Sequence, residues 1–237
     1  MGSFARYTAE LRAGDVIHIE SGVIDVDERG AHLAHRLYNS ASGEVAAHFR
    51  LRLRYMNLDS RRGARLDPSQ QEQLARYRVA WDGPEPSELG SPAGEDAFFP
   101  TVRDTIKPWE IDVLGHMSLE FYIHRFSDAS TQCLSAMGMD PPYMRANRIG
   151  FSTFEFQASF TRELNAGDRV EVRSALMHVG SSSIRILSRL YEAETGELAA
   201  ELSQYGVHLD LDARRPSRIP EVIRERGQAM AKRALGG

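Results

Sequence analysis

Laid on itself with an offset of 153 residues and no gap, the chain matches itself over three separate stretches. TAELRAGDVIHIES (Thr8 to Ser21) falls on TRELNAGDRVEVRS (Thr161 to Ser174), RLYNSASGEVAA (Arg36 to Ala47) on RLYEAETGELAA (Arg189 to Ala200), and DSRRGAR (Asp59 to Arg65) on DARRPSR (Asp212 to Arg218). Such self-similarity means two like halves, so whatever one half folds into, the other must build from the same parts.

Each copy reads as strands. An Ala-Gly-Asp turn precedes Val16, Ile17 and Ile19 in the first copy and Val170 and Val172 in the second, and β-branched residues after a turn favour extended chain. SSIRILSRLYEA alternates Ile184, Ile186, Ser188 and Leu190 against Arg185, Leu187, Arg189 and Tyr191, and the turn Glu194-Thr195-Gly196 leads into LAAELSQYGVHLDL. Both halves therefore predict a three-stranded antiparallel meander. Upstream of the second, FSTFEFQASF puts Phe154, Phe156, Ala158 and Phe160 on one face and Thr153, Glu155, Gln157 and Ser159 on the other, the pattern of a half-buried strand.

Only the second half supplies a cover for its sheet. From Gly115 to Met137 the apolar residues Leu119, Tyr122, Ile123, Phe126, Cys133, Leu134 and Met137 recur at helical spacing, Glu120, Arg125 and Asp128 fall elsewhere, and Gly138 with Pro141-Pro142 ends the run. The first copy begins inside its first matching strand, without that helix. Ser69 to Trp81 and the stretch PEVIRERGQAMAKRAL are expected as trailing helices. Asp82 to Asp96, rich in Gly, Pro, Ser and acid, reads as a mobile linker. The expected organisation is residues 1–81 as an incomplete N-terminal repeat, 82–97 as linker and 98–237 as a complete C-terminal repeat.

Bulk properties bound the partners. Of 237 residues, 42% are hydrophobic and 26% charged, which is globular, and a net charge of -4 without long basic runs argues against nucleic acid. A single cysteine, Cys133, closes no intrachain disulfide, and no Cys/His cluster has metal-ligand spacing. No apolar signal core opens the chain and no eighteen apolar residues run together, so a cytoplasmic protein with no membrane partner is expected.

WEIDVLGHMSLEFYIHRFSDAS (Trp109 to Ser130) holds the unusual motif. Asp112 precedes Gly115 by three residues and His116 by four, which puts a carboxylate on the approach to a helix whose first turn holds Gly115 and His116. Backbone N–H groups at a helix start lack intrahelical acceptors and bind developing negative charge. The pair fits acyl transfer to water: an oxyanion held at Gly115 or His116, one such donor being worth roughly 3 kcal/mol, and Asp112 acting as general base or nucleophile. Ser118 and Glu120 would orient the water.

D-V-L-G-H-M-S, with Tyr122 downstream, resembles the Asp-x-x-Gly-His-x-Asn motif of the 4-hydroxybenzoyl-CoA-thioesterase-like family of hotdog proteins, and the resemblance covers nearly all of residues 100 to 220. The second half looks particularly like thioesterases associated with bacterial carnitine catabolism. The resemblance implies an α+β tandem hotdog in which curved antiparallel sheets wrap a long central helix, the first repeat lacking its own. It implies an acyl-CoA thioesterase with Asp112 as catalytic carboxylate and Gly115 and His116 as oxyanion hole. The family's Asn is Ser118 here, which retains hydrogen-bonding capacity. A hotdog site is completed by a partner hotdog: either residues 1–66 serve as that partner, giving one site per chain, or chains pair through their second halves. No cofactor beyond the CoA of the substrate is expected, and a homodimer is.

Expected substrate contacts are Glu120, Tyr122, Thr153, Phe154, Ser182 and Arg185, the last as a cation for CoA phosphates. Each has a plainer reading: Asp112 as a cap, Arg185 on a solvated strand face, Ser182 in a hairpin, Phe154 in the core, Cys133 as a small buried hydrophobe. Two other functions stay open. One is a non-catalytic acyl-CoA-binding protein; the other is a hydratase on the same fold, whose usual Asp-x-Asn-Pro-x-His is missing from this chain.

Overall fold

A computed structural model describes residues 2–88 and 90–237. Met1, in the expected first repeat, and Leu89, in the expected linker, lie outside the described residues. In chain order the elements are β1 (Gly2–Tyr7), β2 (Ile17–Asp27), β3 (Gly30–Asn39), β4 (Val45–Arg54), β5 (Met56–Asn57), β6 (Arg62–Gly63), α1 (Pro68–Ala75), β7 (Phe99–Thr105), α2 (Leu119–Met137), α3 (Pro141–Asn147), β8 (Ile149–Phe160), β9 (Arg169–Val179), β10 (Ser183–Glu192), β11 (Leu198–Asp210), β12 (Arg215–Pro216) and α4 (Glu221–Ala234). The class is mixed α+β, with extensive antiparallel sheet and four α-helices among the described residues. None of those helices is long and apolar enough to cross a membrane. Two compact units divide the chain, residues 1–87 with 154–159, and residues 88–153 with 160–237.

In the first unit, β2, β3, β4 and β1 pair antiparallel in that spatial order, and the free edge of β1 takes residues 155–159 of β8, with Ala5 opposite Phe156. The Ala-Gly-Asp turn before β2 works as its residues demand. Gly14 takes φ 97° and Asp15 Oδ2 accepts the Arg12 N–H at 2.8 Å. The turn before β9 is built the same way, with Gly167 at φ 94° and Asp168 accepting from Asn165 N at 2.8 Å.

α1 is shorter than the helix expected to run to Trp81. A capping box between Asp67 and Gln70 starts it. It stops because Tyr77 O and Val79 N are claimed by Val23, at 2.9 Å each, so the chain leaves the helix to lie along β2. The first residues of the expected linker, 82–87, are held by side chains. Asp82 pairs with Arg36, Glu85 with Arg50, and the Ser87 N–H and hydroxyl bond Glu155 at 2.9 and 2.8 Å. Glu155 also corrects the alternation read in FSTFEFQASF. It is 1% exposed, the most buried residue of its strand, and is satisfied by Ser87, Gln157 and Arg6.

In the second unit, β7, β9, β10 and β11 lie side by side, and the short β12 pairs antiparallel with the end of β11. Cys133, Leu134 and Met137 of α2 pack on Leu176, Val179, Ile184 and Ile186 of β9 and β10, closed by Ile219 and by Ala231 of α4. The helix ends at Gly138, whose φ of 107° suits a left-handed cap. Pro141 and Pro142 do more than prolong that stop: capped by Asp140, which accepts from Tyr143 N at 2.8 Å, they open α3.

Candidate active site

α2 starts at Leu119, with Ser118 as its N-cap, so Gly115 and His116 precede the helix instead of forming its first turn. The reason is local. Gly115 sits at φ 84°, incompatible with a right-handed helix, and Met117 bridges Ile111 and donates to Leu164 O at 2.7 Å. Residues 111–117 thus form a tight hairpin before the helix. Asp112 N donates to His116 O at 3.0 Å, and Gly115 N donates back to Asp112 O at 3.0 Å.

That closure changes which amide can meet an anion. The Gly115 N–H is committed inside the turn, whereas the His116 N–H finds no acceptor among the described residues. The Asp112 carboxylate divides its duties. Oδ1 accepts the Leu114 N–H at 2.8 Å, a turn-capping role, and Oδ2 faces His116 Nδ1 at 3.7 Å. Both side chains stay partly open, Asp112 at 30% and His116 at 20%. Trp109, Val113 and Leu114 are exposed around them.

Four groups around the hairpin, Arg125, Glu110, Asp104 and Glu163, were not singled out by the motif. Arg125, placed off the apolar stripe by its charge, is buried on α2 with its Nη2 2.7 Å from Glu110 Oε2 and 2.9 Å from Asp104 Oδ2. Burial would raise the pKa of Asp104, but the Lys107 hydrogen bond and the Arg125 charge hold it below the usual carboxylate value. Glu163, on the β8 to β9 connection, brings a second carboxylate 3.7 Å from His116 Nε2. The repeat carried a hint of it, since Glu163 falls on Glu10 at the 153-residue offset.

Tyr122 joins this cluster. It is 3% exposed, donates to Arg162 O at 3.1 Å and meets Phe160 edge to face. Burial, with the Glu163 charge added, pushes its pKa up to about 12, so the phenol stays protonated at neutral pH. Glu120 is exposed in the first turn of α2.

The remaining expected contacts lie elsewhere. Thr153 accepts from Gln204, which accepts from Ser130, a position twelve residues after Ser118 and so about 18 Å further along the helix axis. Phe154 belongs to the first unit, with the Arg6 guanidinium 5.7 Å from its ring centroid. Ser182 O accepts the His208 N–H in the β9 to β10 turn. Arg185 stacks on Tyr205 at 4.6 Å, donates to Glu88 O, and lines a cavity of about 210 Å³ with Arg189, Met177, Leu187 and residues 90–92. Among the described residues no three His, Cys, Asp or Glu side chains converge as metal ligands.

Known proteins share this architecture. A 12:0-ACP thioesterase from Umbellularia californica superposes with a TM-score of 0.63 at 12% identity, covering 87% of this chain and 71% of that one. A Staphylococcus aureus protein solved in complex with CoA superposes at 0.53 with 19% identity, over 64% of this chain and 91% of that one. These likenesses establish a hotdog-type fold. In sequence, the betainyl-CoA thioesterase of Pseudomonas aeruginosa is 28% identical over 132 residues, which is 56% of this chain and 83% of that protein. The thioesterase-like superfamily itself matches residues 2–74 and 106–227, taking in both the first meander and the whole Asp112 hairpin. With most of its length so matched, the chain belongs to the thioesterase-like superfamily and is a thioester hydrolase.

Proposed function

We propose that the substrate is an acyl-CoA, hydrolysed to free acid and CoA at the Asp112 hairpin. In this reading the thioester carbonyl oxygen accepts the His116 N–H. Asp112 Oδ2 takes a proton from a water that attacks the carbonyl carbon, or attacks that carbon itself, and the tetrahedral intermediate collapses with loss of the CoA thiolate, which is reprotonated; in the second route the mixed anhydride left on Asp112 is then hydrolysed by water, which frees the acid and restores the carboxylate. The carrying observation is the pairing, within one closed turn, of a partly exposed carboxylate with an amide that finds no acceptor among the described residues. Ser118, at the start of α2, and Glu120 are the proposed contacts for the water, and Tyr122 a neutral wall beside it. Carboxylate-driven hydrolysis of this kind requires no metal or redox group.

The proposal extends to the architecture as a tandem of two hotdog repeats. Its support is that displacing β2, β3, β6 and α1 by 153 residues brings their first residues to within one position of those of β9, β10, β12 and α4; a first repeat without a helix like α2 belongs to the same reading. Homodimer assembly in the cytoplasm belongs to the same reading. It rests on exposed Ile17, Ile19 and Leu53 as apolar surface and on the lone, buried Cys133, and sedimentation of the purified protein tests the dimer.

The test of the activity is a thiol-release assay on short-chain, medium-chain, aromatic and betainyl CoA thioesters. Release of CoA from any of them supports the reading. Tight binding without release, or water addition to enoyl-CoA without thiol release, overturns the acyl-CoA hydrolysis reading in favour of a receptor or a hydratase.

A further inference from the structure

We infer that Arg125 is a positioning residue for this site, a cation buried in the helix that holds the Asp112 hairpin in register by gripping Glu110. The inference rests on the thioesterase reading for its functional half. Its structural half stands on the hydrogen bonds alone.

Arg125 occupies the edge of the buried face of α2, with only 4% of its side chain exposed. A guanidinium taken out of water needs acceptors, and Arg125 finds them for its two terminal nitrogens while its buried Nε has none among the described residues. The terminal nitrogens meet Glu110 Oε2 at 2.7 Å, Asp104 Oδ2 at 2.9 Å, Phe121 O at 3.2 Å and the Met117 sulfur at 3.4 Å. Each of these partners has a different owner. Asp104 belongs to β7, Phe121 to α2 itself, Glu110 to the start of the hairpin and Met117 to its end.

Glu110 is the centre of the device. The carboxylate oxygen that meets Arg125 also accepts the Lys107 N–H at 2.9 Å, and the backbone oxygen of Glu110 accepts the Ser118 N–H at 2.9 Å. Both ends of the 111–117 hairpin are therefore fastened at one residue, which is fastened in turn to the helix core. Met117 N bonded to Leu164 O completes the base. Asp112 lies two residues beyond Glu110 and has no comparable anchor: its side chain bonds the hairpin's own Leu114 amide. Where Asp112 and the His116 amide stand relative to α2 is thus set through Glu110 and Arg125, with neither residue touching the substrate.

The experiment compares four variants of the full chain: Arg125→Met, Arg125→Lys, Glu110→Gln and Asp104→Asn. Asp104→Asn weakens the same guanidinium's hold on β7, together with the Lys107 ammonium contact, and leaves the Arg125–Glu110 pair in place, so it reports what loss of this second carboxylate costs without loss of the hairpin contact. Two readouts are taken. Amide hydrogen exchange of residues 109–118 needs no substrate, and steady-state thiol release gives kcat and KM. If Arg125 positions the site, Glu110→Gln and Arg125→Met speed exchange in the hairpin and lower kcat by about 10- to 100-fold while KM changes by less than about twofold. Arg125→Lys recovers part of both, and Asp104→Asn lowers the melting temperature with kcat close to wild type.

Wild-type exchange across 109–118 in Glu110→Gln overturns the inference whatever the activity, and so does an equal fall of kcat in Asp104→Asn and Glu110→Gln. Should Arg125→Met not fold, Glu110→Gln, which preserves shape and removes charge, decides alone. A wild-type protein that releases no thiol from any CoA ester fails the functional reading instead, and the exchange data then still judge the structural half.

Discussion

Asp112 and His116 close a ring through their backbones at 3.0 Å while their side chains stand 3.7 Å apart, beyond hydrogen-bonding distance. The contact that holds is the backbone one. In the proposed mechanism His116 contributes its amide, and its imidazole, set between Asp112 and Glu163, contributes surroundings. Replacing His116 with Gln keeps the amide, and the expected result is a loss of kcat below about tenfold, less than general-base removal costs. A loss a hundred times larger in steady-state assays would make the imidazole a proton carrier.

Stability should fall on mild acidification because of His208. Burial lowers its pKa against the opposing pull of the Ser217 hydrogen bond and Asp210, and the ring is 2% exposed, bonded to Tyr143 Oη at 3.1 Å and Ser217 Oγ at 2.9 Å. A depressed histidine is neutral in the folded state and takes its proton first in the unfolded state. Folding stability is therefore complete above about pH 6.5 and declines as pH drops toward the folded pKa. His32, His35, His48 and His178 are lowered too, so His208→Gln should flatten the melting temperature between pH 7 and 5 in part. An unchanged slope would contradict the burial argument for His208.

Gly206 allows β8 and β11 to pack closely. A Cβ there would meet the Phe151 ring at 2.5 Å and Ser152 O at 2.7 Å. The ring is the far end of a side chain, but the carbonyl belongs to backbone and does not yield. Gly206→Ala should destabilise by about 1–3 kcal/mol, as overpacking does, measured by urea unfolding. A gain in stability would show that the strand separation is soft.

Much of this arrangement is written locally and can be read locally. The Ala-Gly-Asp turns, the alternating strands and the apolar stripe of α2 each depend on residues close in the chain, so pattern alone reveals them. The motif at Asp112, Gly115 and His116 is visible for the same reason. Its geometry is not, because the start of α2 turns on a left-handed glycine and on Leu164, far along the chain, claiming Met117 N. Arg125 and Glu155 mislead in one shared way. Charge reads as solvent exposure until the partners that neutralise it are known, and Glu110, Asp104 and Ser87 are supplied by the fold. The segment after Trp81 misleads likewise, since Gly and Pro signal the absence of regular structure and say nothing of the side chains waiting to bind it.

The central claim is that one carboxylate performs the hydrolysis. It is tested most directly by kcat for thiol release from the best CoA ester, wild type against Asp112→Asn, with matched melting curves. The Asn oxygen can still accept the Leu114 amide proton, so the hairpin should persist. The account predicts an intact fold and a kcat reduced by about 10²- to 10⁴-fold, the scale of general-base catalysis. A folded Asp112→Asn protein with kcat near wild type would contradict it.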